Sequence, residues 1–196
     1  ESTVAVGVAR LGHSAGWVSK LGDDEFGKYV LNVMRGEQVD TSCVSITSTC
    51  QTGVFFREQR ASGQSTVYYY REGSAFSTIA PEDLDEDYIS SAKILHLTGI
   101  TPGLSQSARE TVERAVDIAV ANGVQIVLDP NYRAKVWSTD EAKPYLENLM
   151  LKADYVLAGQ EDLTKLIGIS CETELIAYLH SLGLPKVILK LGREGA

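Results

Sequence analysis

The hydrophobic and polar positions of this 196-residue chain predict helices that alternate with short strands. Apolar, β-branched runs predict strands at residues 15–21, 94–98, 124–128, 154–157 and 186–191. Helical periodicity predicts helices near residues 4–11, 26–36, 105–122, 139–151, 161–167 and 173–182. Strand–helix–strand units connect by right-handed crossovers and build a parallel sheet with helices on its faces. The pattern therefore predicts an α/β fold with a mostly parallel sheet.

The middle of the chain departs from this alternation. Three β-rich runs follow one another at residues 44–48, 53–59 and 65–71, and residues 60–64 form a good hairpin loop between the last two. Side chains alternate along a strand, so Tyr69 and Arg71 should share a face. The run predicts a small β-flap beside the sheet. The alternative is an extra antiparallel edge, in which Tyr68 and Tyr70 simply pack and Arg71 is a solvated edge charge.

Local signals predict the ends of the longest helix. Ser105 or Ser107 can cap its beginning, and Ser107 with Glu110 fits a capping box. Asn122 and Gly123 form a strong C-terminal signal. The sequence therefore predicts a helix that begins next to the loop after residues 94–98.

Charge and cysteine content exclude several classes of function. The chain has 18 basic and 26 acidic residues, a net charge of −8, which argues against nucleic acid as a partner. No apolar run reaches the length of a membrane span, and the N-terminus lacks the layout of a signal peptide. Cys43, Cys50 and Cys171 have no metal-ligand spacing, which indicates buried free thiols in a reducing, cytoplasmic compartment.

Candidate chemistry lies where the predicted strands end. Parallel strands place their carboxyl ends along one rim of the sheet, where ligands bind in open α/β folds. The run at residues 126–128 opens into Asp129, Asn131 and Arg133, an anion, an amide and a guanidinium suited to hydroxyls plus a carboxylate or phosphate. The alternative is a strand–turn–helix connection with incidental polarity.

Two further loops belong to the same predicted rim. Glu161 is either a plain charge at a helix N-terminus or a carboxylate that acts on Mg²⁺ or phosphate-bound water. Lys190 precedes Gly192 and Gly195, whose spacing suits a backbone nest for phosphates. The chain has no P-loop, no dinucleotide fingerprint, no HExxH and no GxSxG, which excludes the enzyme classes that these motifs mark.

The motifs of the whole chain resemble those of the ribokinase-like (PfkB) sugar kinases and, within them, the 2-keto-3-deoxygluconate kinases. The motifs that carry the resemblance are Ala9-Arg10-Leu11-Gly12, Lys20-Leu21-Gly22-Asp23-Asp24-Glu25-Phe26-Gly27, Thr52-Gly53, Tyr69-Tyr70-Arg71-x-Gly73-Ser74-Ala75, His96-Leu97-Thr98-Gly99-Ile100, Asp129-Pro130-Asn131-Tyr132-Arg133-x-x-x-Trp137 and Lys190-Leu191-Gly192-x-x-Gly195. The tyrosine–arginine motif and the Asp-x-Asn-Tyr-Arg motif are the ones that point to a ketodeoxy sugar acid.

The resemblance implies a three-layer α/β/α domain with a β-lid. It divides the chain into residues 1–51 and 76–196 of the α/β domain and a lid hairpin at residues 52–75. Tyr69 and Arg71 would hold the sugar acid from the lid, and Arg133 would reach it from the sheet rim. The resemblance also implies ATP and Mg²⁺ as cofactors. Residues next to the nucleotide would be Asn131, Lys190, Gly192 and Gly195, with Glu161 beside magnesium-bound water.

Three positions depart from the family pattern. The family usually has a substrate-binding Asn at the position of Thr3 and a substrate-contacting Tyr at the position of Phe55. Ala158 stands where the family has the Asn of its Asn-x-x-Glu motif. The resemblance thus makes Thr3 and Phe55 substrate-binding candidates whose chemistry differs from that of the family.

The reaction that the resemblance implies is the ATP-dependent phosphorylation of 2-keto-3-deoxygluconate to its 6-phosphate. The chain resembles a fragment, because the Gly-Ala-Gly-Asp segment with the catalytic base is expected beyond Ala196. Two alternatives are a kinase for fructose, ribose or a related ketose and a non-catalytic sugar-acid-binding paralogue. Arg71 and Arg133 argue against a neutral sugar, since guanidinium groups would lack their natural partner. The resemblance also implies a possible homo-oligomer through the β-lid.

Overall fold

The computed structural model describes residues 1–60, 63, 65–184 and 186–196. The chain divides into two compact units, Glu1–Leu84 and Asp85–Ala196. Both units contain parallel strands with helices between them, so the predicted α/β class is confirmed.

The first unit combines a small α/β element with a hairpin. Its helices and strands are α1 (Ser2–Arg10), β1 (Ser19–Gly22), α2 (Glu25–Gly36), β2 (Val44–Thr47), β3 (Val54–Gln59) and β4 (Ser65–Tyr70). Two 3-10 helices follow, at Ala75–Thr78 and Pro81–Asp83. β3 and β4 pair antiparallel as predicted; their predicted loop includes Ala61, Ser62 and Gln64, which lie outside the described residues. β2, predicted as part of the β-rich middle, instead pairs in parallel with β1.

The first strand was predicted to begin at residue 15, but β1 begins at Ser19. Residues 15–18 are not part of β1, and Gly16 makes a single bridge to Asp40. The partner segment cannot continue the ladder, because Gln38 has a positive φ of 61° and Asp40 turns back to accept a hydrogen bond from the Ser42 backbone. Continuous pairing therefore begins only at Ser19.

The second unit is built on a four-stranded parallel sheet in the order β5-β6-β7-β8. Its elements are α3 (Glu86–Ser90), β5 (Ile94–Thr98), α4 (Gln106–Asn122), β6 (Gln125–Asp129), α5 (Thr139–Leu151), β7 (Tyr155–Gly159), α6 (Gln160–Ile167), α7 (Glu172–Ser181) and β8 (Val187–Lys190). Short 3-10 helices lie at Thr101–Gly103 and Gly192–Glu194. The predicted parallel sheet is confirmed, and its strand ends bring four loops to one edge.

The core of this unit lies between the sheet and its helices. Leu128 and Val156 from the strands are fully buried against helical side chains such as Leu146, Leu163 and Leu175. Burying one such side chain contributes about 1.5–3 kcal/mol. The strand ends that carry the polar loops are therefore held by a well-packed interior.

The structure shows which of the two candidate serines caps the N-terminus of α4. Ser105 Oγ accepts a hydrogen bond from the Ala108 backbone at 3.0 Å and is the N-cap. Ser107 lies inside the helix, so the predicted capping box with Glu110 is wrong. The helix ends as predicted at Gly123, whose φ of 69° is the left-handed conformation that glycine adopts without strain.

The cysteines are free but less buried than predicted. Cys43 and Cys50 are partly buried and Cys171 is exposed, so the prediction of buried thiols is wrong. Cys171 occupies the N-cap of α7, where a side chain lies at the surface, and its thiol contacts the Thr173 hydroxyl at 3.1 Å. That hydrogen bond lowers the pKa of the thiol. Among the described helices none has the length and apolar character needed to cross a membrane.

Candidate functional site

An ion pair joins the ends of two strands at the edge of the parallel sheet. Lys190, the last residue of β8, places Nζ 2.6 Å from Oδ2 of Asp129, the last residue of β6. β7 lies between these strands and ends in Ala158 and Gly159. The sequence-predicted Asp129 and Lys190 are thus brought together, although they are 61 residues apart.

The loop after β6 turns sharply at Asn131. Its backbone N–H donates to Asp129 Oδ1 at 3.1 Å, and its φ of +37° is uncommon for a residue other than glycine. Asparagine tolerates this region better than most side chains. The preceding Pro130 is buried, so the turn is fixed from both sides and Asn131 stays at the strand end.

Arg133 is held in place by a carboxylate that the sequence did not single out. Its Nη1 donates to Asp162 Oδ1 at 2.5 Å and to the Tyr132 carbonyl at 3.1 Å. Asp162 lies in the first turn of α6, with 19% of its side chain exposed against 41% for Arg133. The available signal was a second acidic residue directly after Glu161 at the same helix N-terminus.

Glu161 itself points along the surface of α6. It is 84% exposed and accepts a hydrogen bond from Lys165 Nζ at 2.6 Å. That bond lowers the pKa of Glu161, with a smaller contribution from Arg133. Among the described residues, no group of three or more His, Cys, Asp or Glu side chains could hold a metal ion. A direct protein cage for Mg²⁺ is therefore absent from the described part of the chain.

The turn after β8 exposes its backbone. Gly192 and Gly195 have positive φ values of 65° and 102°, and no atom lies within 4 Å of the position that a Cβ would occupy at either. The Leu191 backbone N–H donates to the Gly195 carbonyl at 2.8 Å and closes the turn. Such glycine turns present backbone N–H groups to anions, which suits the predicted contact with phosphates.

One face of the hairpin carries three of the predicted substrate-binding residues. Phe55 and Tyr69 are opposite each other across β3 and β4, with ring centroids 6.1 Å apart. The Arg71 guanidinium lies 4.2 Å from the centroid of the Tyr69 ring. The predicted common face of Tyr69 and Arg71 is confirmed, and Phe55 extends it without a hydroxyl group. An aromatic surface with a guanidinium above it can contact both a sugar and an anion.

The opposite face of the hairpin is aromatic and exposed. The Phe56 and Tyr70 rings meet edge to face with centroids 5.6 Å apart, and the Tyr68 hydroxyl donates to Glu58 at 3.1 Å. All three aromatic side chains are exposed. The alternative in which Tyr68 and Tyr70 simply pack is therefore wrong within this unit.

Hydrogen bonds that the Asp24 carboxylate accepts tie the base of the hairpin to the loop after β1. Asp24 accepts from the Thr52 backbone at 2.7 Å and from the Gly27 backbone at 2.8 Å. These bonds, the first of them above all, lower the pKa of the Asp24 carboxyl. A Cβ at Gly53 would lie only 3.1 Å from Arg71 Cβ. Arg71 therefore lies directly beside the anchored segment that contains Thr52 and Gly53.

The remaining candidate, Thr3, is exposed on the first turn of α1. The candidates thus fall into two groups, one in each unit. The first unit carries Thr3, Phe55, Tyr69 and Arg71, and the second carries Asn131, Arg133, Glu161, Lys190, Gly192 and Gly195.

Comparison with known proteins finds matches along the whole chain. The pfkB family carbohydrate kinase profile matches residues 1–196. The chain is 33% identical over 200 residues to the 2-dehydro-3-deoxygluconokinase of Thermoproteus tenax and 32% identical over 199 residues to the 2-dehydro-3-deoxygalactonokinase of Haloferax volcanii. Both alignments cover 100% of this chain, which spans 60% and 62% of those relatives.

A solved structure gives the same result. The PfkB protein from Polaromonas sp. JS666 superposes with a TM-score of 0.91 at 35% identity, over 99% of this chain and 66% of that protein. The family profile and these relatives match the full length of the chain, and the solved structure matches 99% of it. The chain therefore belongs to the pfkB family of carbohydrate kinases.

Proposed function

We propose that the protein containing this chain is an ATP-dependent kinase that phosphorylates 2-keto-3-deoxygluconate to its 6-phosphate. The observation that carries this proposal is a guanidinium in each group of candidate residues: Arg71 above Tyr69, and Arg133 at the sheet edge. A carboxylate is the natural partner of a guanidinium. The names of the relatives from Thermoproteus tenax and Haloferax volcanii support a substrate of this chemical class.

The nucleotide fits the second unit. The open turn between Gly192 and Gly195 would contact the phosphates of ATP through its backbone. Lys190 and Asn131 would hold the nucleotide beside this turn. ATP supplies the phosphoryl group, and Mg²⁺ neutralises the charge that develops on it. Because the described residues lack a direct metal cage, Mg²⁺ would be held through phosphates and water, with Glu161 as the nearby carboxylate.

In this proposal the residues of this chain bind and orient the sugar. The aromatic face of Phe55 and Tyr69 would cover the substrate as part of a lid at residues 52–75, with Thr3 as a further contact. Arg71 and Arg133 are each a candidate partner for the carboxylate, and a fixed carboxylate would direct the terminal hydroxyl toward the nucleotide. Orientation of this kind lowers the barrier because it replaces a chance encounter by a fixed geometry. None of these residues is assigned the role of general base.

A coupled ATPase assay of the whole protein tests the substrate. We expect kcat/KM for 2-keto-3-deoxygluconate to exceed that for fructose and ribose at least about tenfold, since a hydrogen bond to a charged group contributes about 1.5–3 kcal/mol. Equal values for fructose would reject the sugar acid in favour of a ketose. Binding of the acid without turnover of any sugar would identify a non-catalytic paralogue. Parallel assays of the galactonate epimer determine which configuration is preferred.

The exposed aromatic face of the hairpin supports a homo-oligomer as a further part of this proposal. Phe56, Tyr68 and Tyr70 form a cluster that a second copy of the chain could cover. We expect light scattering of the whole protein to show a dimer, and Tyr70→Lys to convert it to a monomer because a charge would be buried in the interface. A monomeric wild-type protein would contradict this role.

The free thiols support a cytoplasmic location.

A further inference from the structure

We propose that Asp24 and Lys20 are positioning residues that fix the two ends of the lid segment, residues 52–75. Asp24 holds the beginning of this segment, and Lys20 holds the chain that follows its end. Neither residue would touch the sugar; both would act through Arg71, which the lid segment carries. The inference deepens the proposed function and rests on it.

Thr52, the first residue of the lid segment, is held by its backbone and by its side chain. Its N–H donates to Asp24 Oδ2 at 2.7 Å, and its Oγ1 accepts from the Gly22 N–H at 2.9 Å. A hydrogen bond to a charged acceptor is stronger than one between neutral groups. Thr52 is also buried. The lid segment therefore begins at a point that β1 and the loop after it keep fixed.

The chain after the lid segment is held by a second contact from the same strand. Lys20 Nζ lies 2.9 Å from Asp83 Oδ2 and 3.3 Å from the Thr78 carbonyl oxygen. The Lys20 and Asp83 side chains are only 18% and 22% exposed, so solvent screens this ion pair less than a pair at the surface. Asp83 also accepts from the Ala80 N–H at 2.9 Å. Lys20 thus joins β1 to both 3-10 helices that follow the lid segment.

The two ends of the lid segment meet at this anchored base. The Ala75 N–H donates to the Gln51 carbonyl at 2.8 Å, and Ala75 is fully buried. A Cβ at Gly53 would lie 3.1 Å from Arg71 Cβ and 3.1 Å from Ser74 Oγ. The entering and leaving chains therefore touch each other, and the placement of one determines the placement of the other.

Packing along the hairpin contributes little to its direction. Most side chains of β3 and β4 are exposed, and a segment with few buried contacts is held mainly where it joins the rest of the fold. Arg71 directly follows β4, and its guanidinium lies over the Tyr69 ring. The anchors at the base thus determine where these two groups point. Fixing them before the substrate arrives lowers the cost of binding.

Kinetics of the whole protein test the role of Asp24. We expect Asp24→Asn to raise the KM for 2-keto-3-deoxygluconate about fivefold, less than the rise of about 30-fold expected for loss of Arg71 itself. Asparagine offers one acceptor oxygen to the N–H groups of Thr52 and Gly27, which the carboxylate serves with two. It remains a good N-cap for α2, so the variant should fold. An unchanged KM for the acid would overturn the role of Asp24.

Lys20→Met tests the second anchor. Methionine keeps an unbranched side chain but removes the charge that pairs with Asp83, and we expect the KM for the acid to rise about threefold. In both anchor variants the kcat and the KM for ATP should stay within about twofold, because the lost interaction is one of uniform binding. An unchanged KM for the acid would overturn the role of Lys20. A fall in kcat or a rise in the KM for ATP as large as that for the acid would indicate general damage and overturn the inference.

Matched controls lie in the same part of the chain. Asp23 directly precedes Asp24 but is exposed, and Lys28 is an exposed lysine of α2 that pairs with Glu25. Asp23→Asn and Lys28→Met make the same chemical changes and should leave the KM for the acid unchanged. Equal rises in the control and anchor variants would mean that the charge of this region, rather than the anchored base, acts on the substrate.

A double-mutant cycle shows whether the anchor acts through Arg71. If it does, Asp24→Asn should raise the KM of the Arg71→Ala variant less than about twofold, because the side chain to be positioned is already absent. A full, independent rise in the double variant would overturn the inference.

The wild-type protein distinguishes the two levels of the argument. Wild-type preference for fructose over the acid would reject the proposed function, and the anchoring of Arg71 for a carboxylate with it. Wild-type preference for the acid, combined with an unchanged KM in Asp24→Asn and Lys20→Met, would reject only the anchors. Preference for the acid, a selective rise in its KM and a non-additive cycle would together support both.

Discussion

Gly99→Ala should lower the free energy of unfolding by about 3 kcal/mol, because overpacking of this severity lies at the upper end of the usual range. A Cβ at Gly99 would lie 2.0 Å from the Pro130 carbonyl oxygen and 2.8 Å from the Leu146 side chain. The carbonyl belongs to the backbone and cannot rotate away. Moving it would strain the hydrogen bond from the Gly99 N–H to the Asp129 carbonyl at 2.9 Å. Gly99 is thus required by the close approach of two strand ends.

Urea unfolding of the whole protein measures this loss, with Gly7→Ala as the control. Gly7 is exposed within α1, and no atom lies within 4 Å of its Cβ position. Alanine there should stabilise the protein by about 0.5–1 kcal/mol, since glycine weakens a helix interior. A loss below about 1 kcal/mol for Gly99→Ala would mean that the rim loops can shift to accept a side chain.

The parts of the fold that were predicted well depend on local information. The helix at residues 139–151 was predicted with the bounds that α5 has, because its periodicity and its neighbouring turns are encoded within the segment. The ends of α4 and α6 at Gly123 and Gly168 follow from the left-handed conformation that glycine supplies. Such signals need no knowledge of distant residues.

The parts that failed depend on distant partners. In α2, helical spacing alone does not decide whether Val33 or Met34 faces inward; in the structure Met34 is buried whereas Val33 is exposed. The sequence could not decide, because the inward direction is set by Val39 and Ala5, which pack against Met34. The pairing of β2 likewise depends on a distant strand, β1. Val44 of β2 is in register with Ser19 of β1, which lies 25 residues earlier in the chain.

The candidate site divides in the same way. The shared face of Tyr69 and Arg71 follows from alternation along one strand, so the sequence was sufficient to predict it. The pairing of Arg133 with Asp162 spans 29 residues and that of Asp24 with Thr52 spans 28. Which of two adjacent acidic residues turns inward depends on the rotation of a helix about its axis. Packing of the core sets that rotation, and no local motif records it.

Arg71→Ala should raise the KM of the whole protein for 2-keto-3-deoxygluconate about 30-fold, the loss expected for one hydrogen-bonded charge at about 2 kcal/mol. The base of the hairpin positions Arg71. Asp24 anchors Thr52 by a hydrogen bond, and a Cβ added at the neighbouring Gly53 would lie only 3.1 Å from Arg71 Cβ. Its guanidinium then stacks on Tyr69 at 4.2 Å. The substitution removes both the anion partner and this stack.

The controls separate the loss of a carboxylate contact from damage to the hairpin. Arg60→Ala removes an exposed arginine of the same hairpin, paired with Glu58 at 3.1 Å, and should leave the KM unchanged. Arg71→Lys should recover only part of the affinity, because lysine keeps the charge but lacks the planar fork that stacks on an aromatic ring. Equal KM increases in Arg60→Ala and Arg71→Ala would mean that net charge, rather than the placed guanidinium, attracts the acid. An unchanged KM in Arg71→Ala would remove Arg71 from the substrate site and leave Arg133 as the remaining partner for the carboxylate.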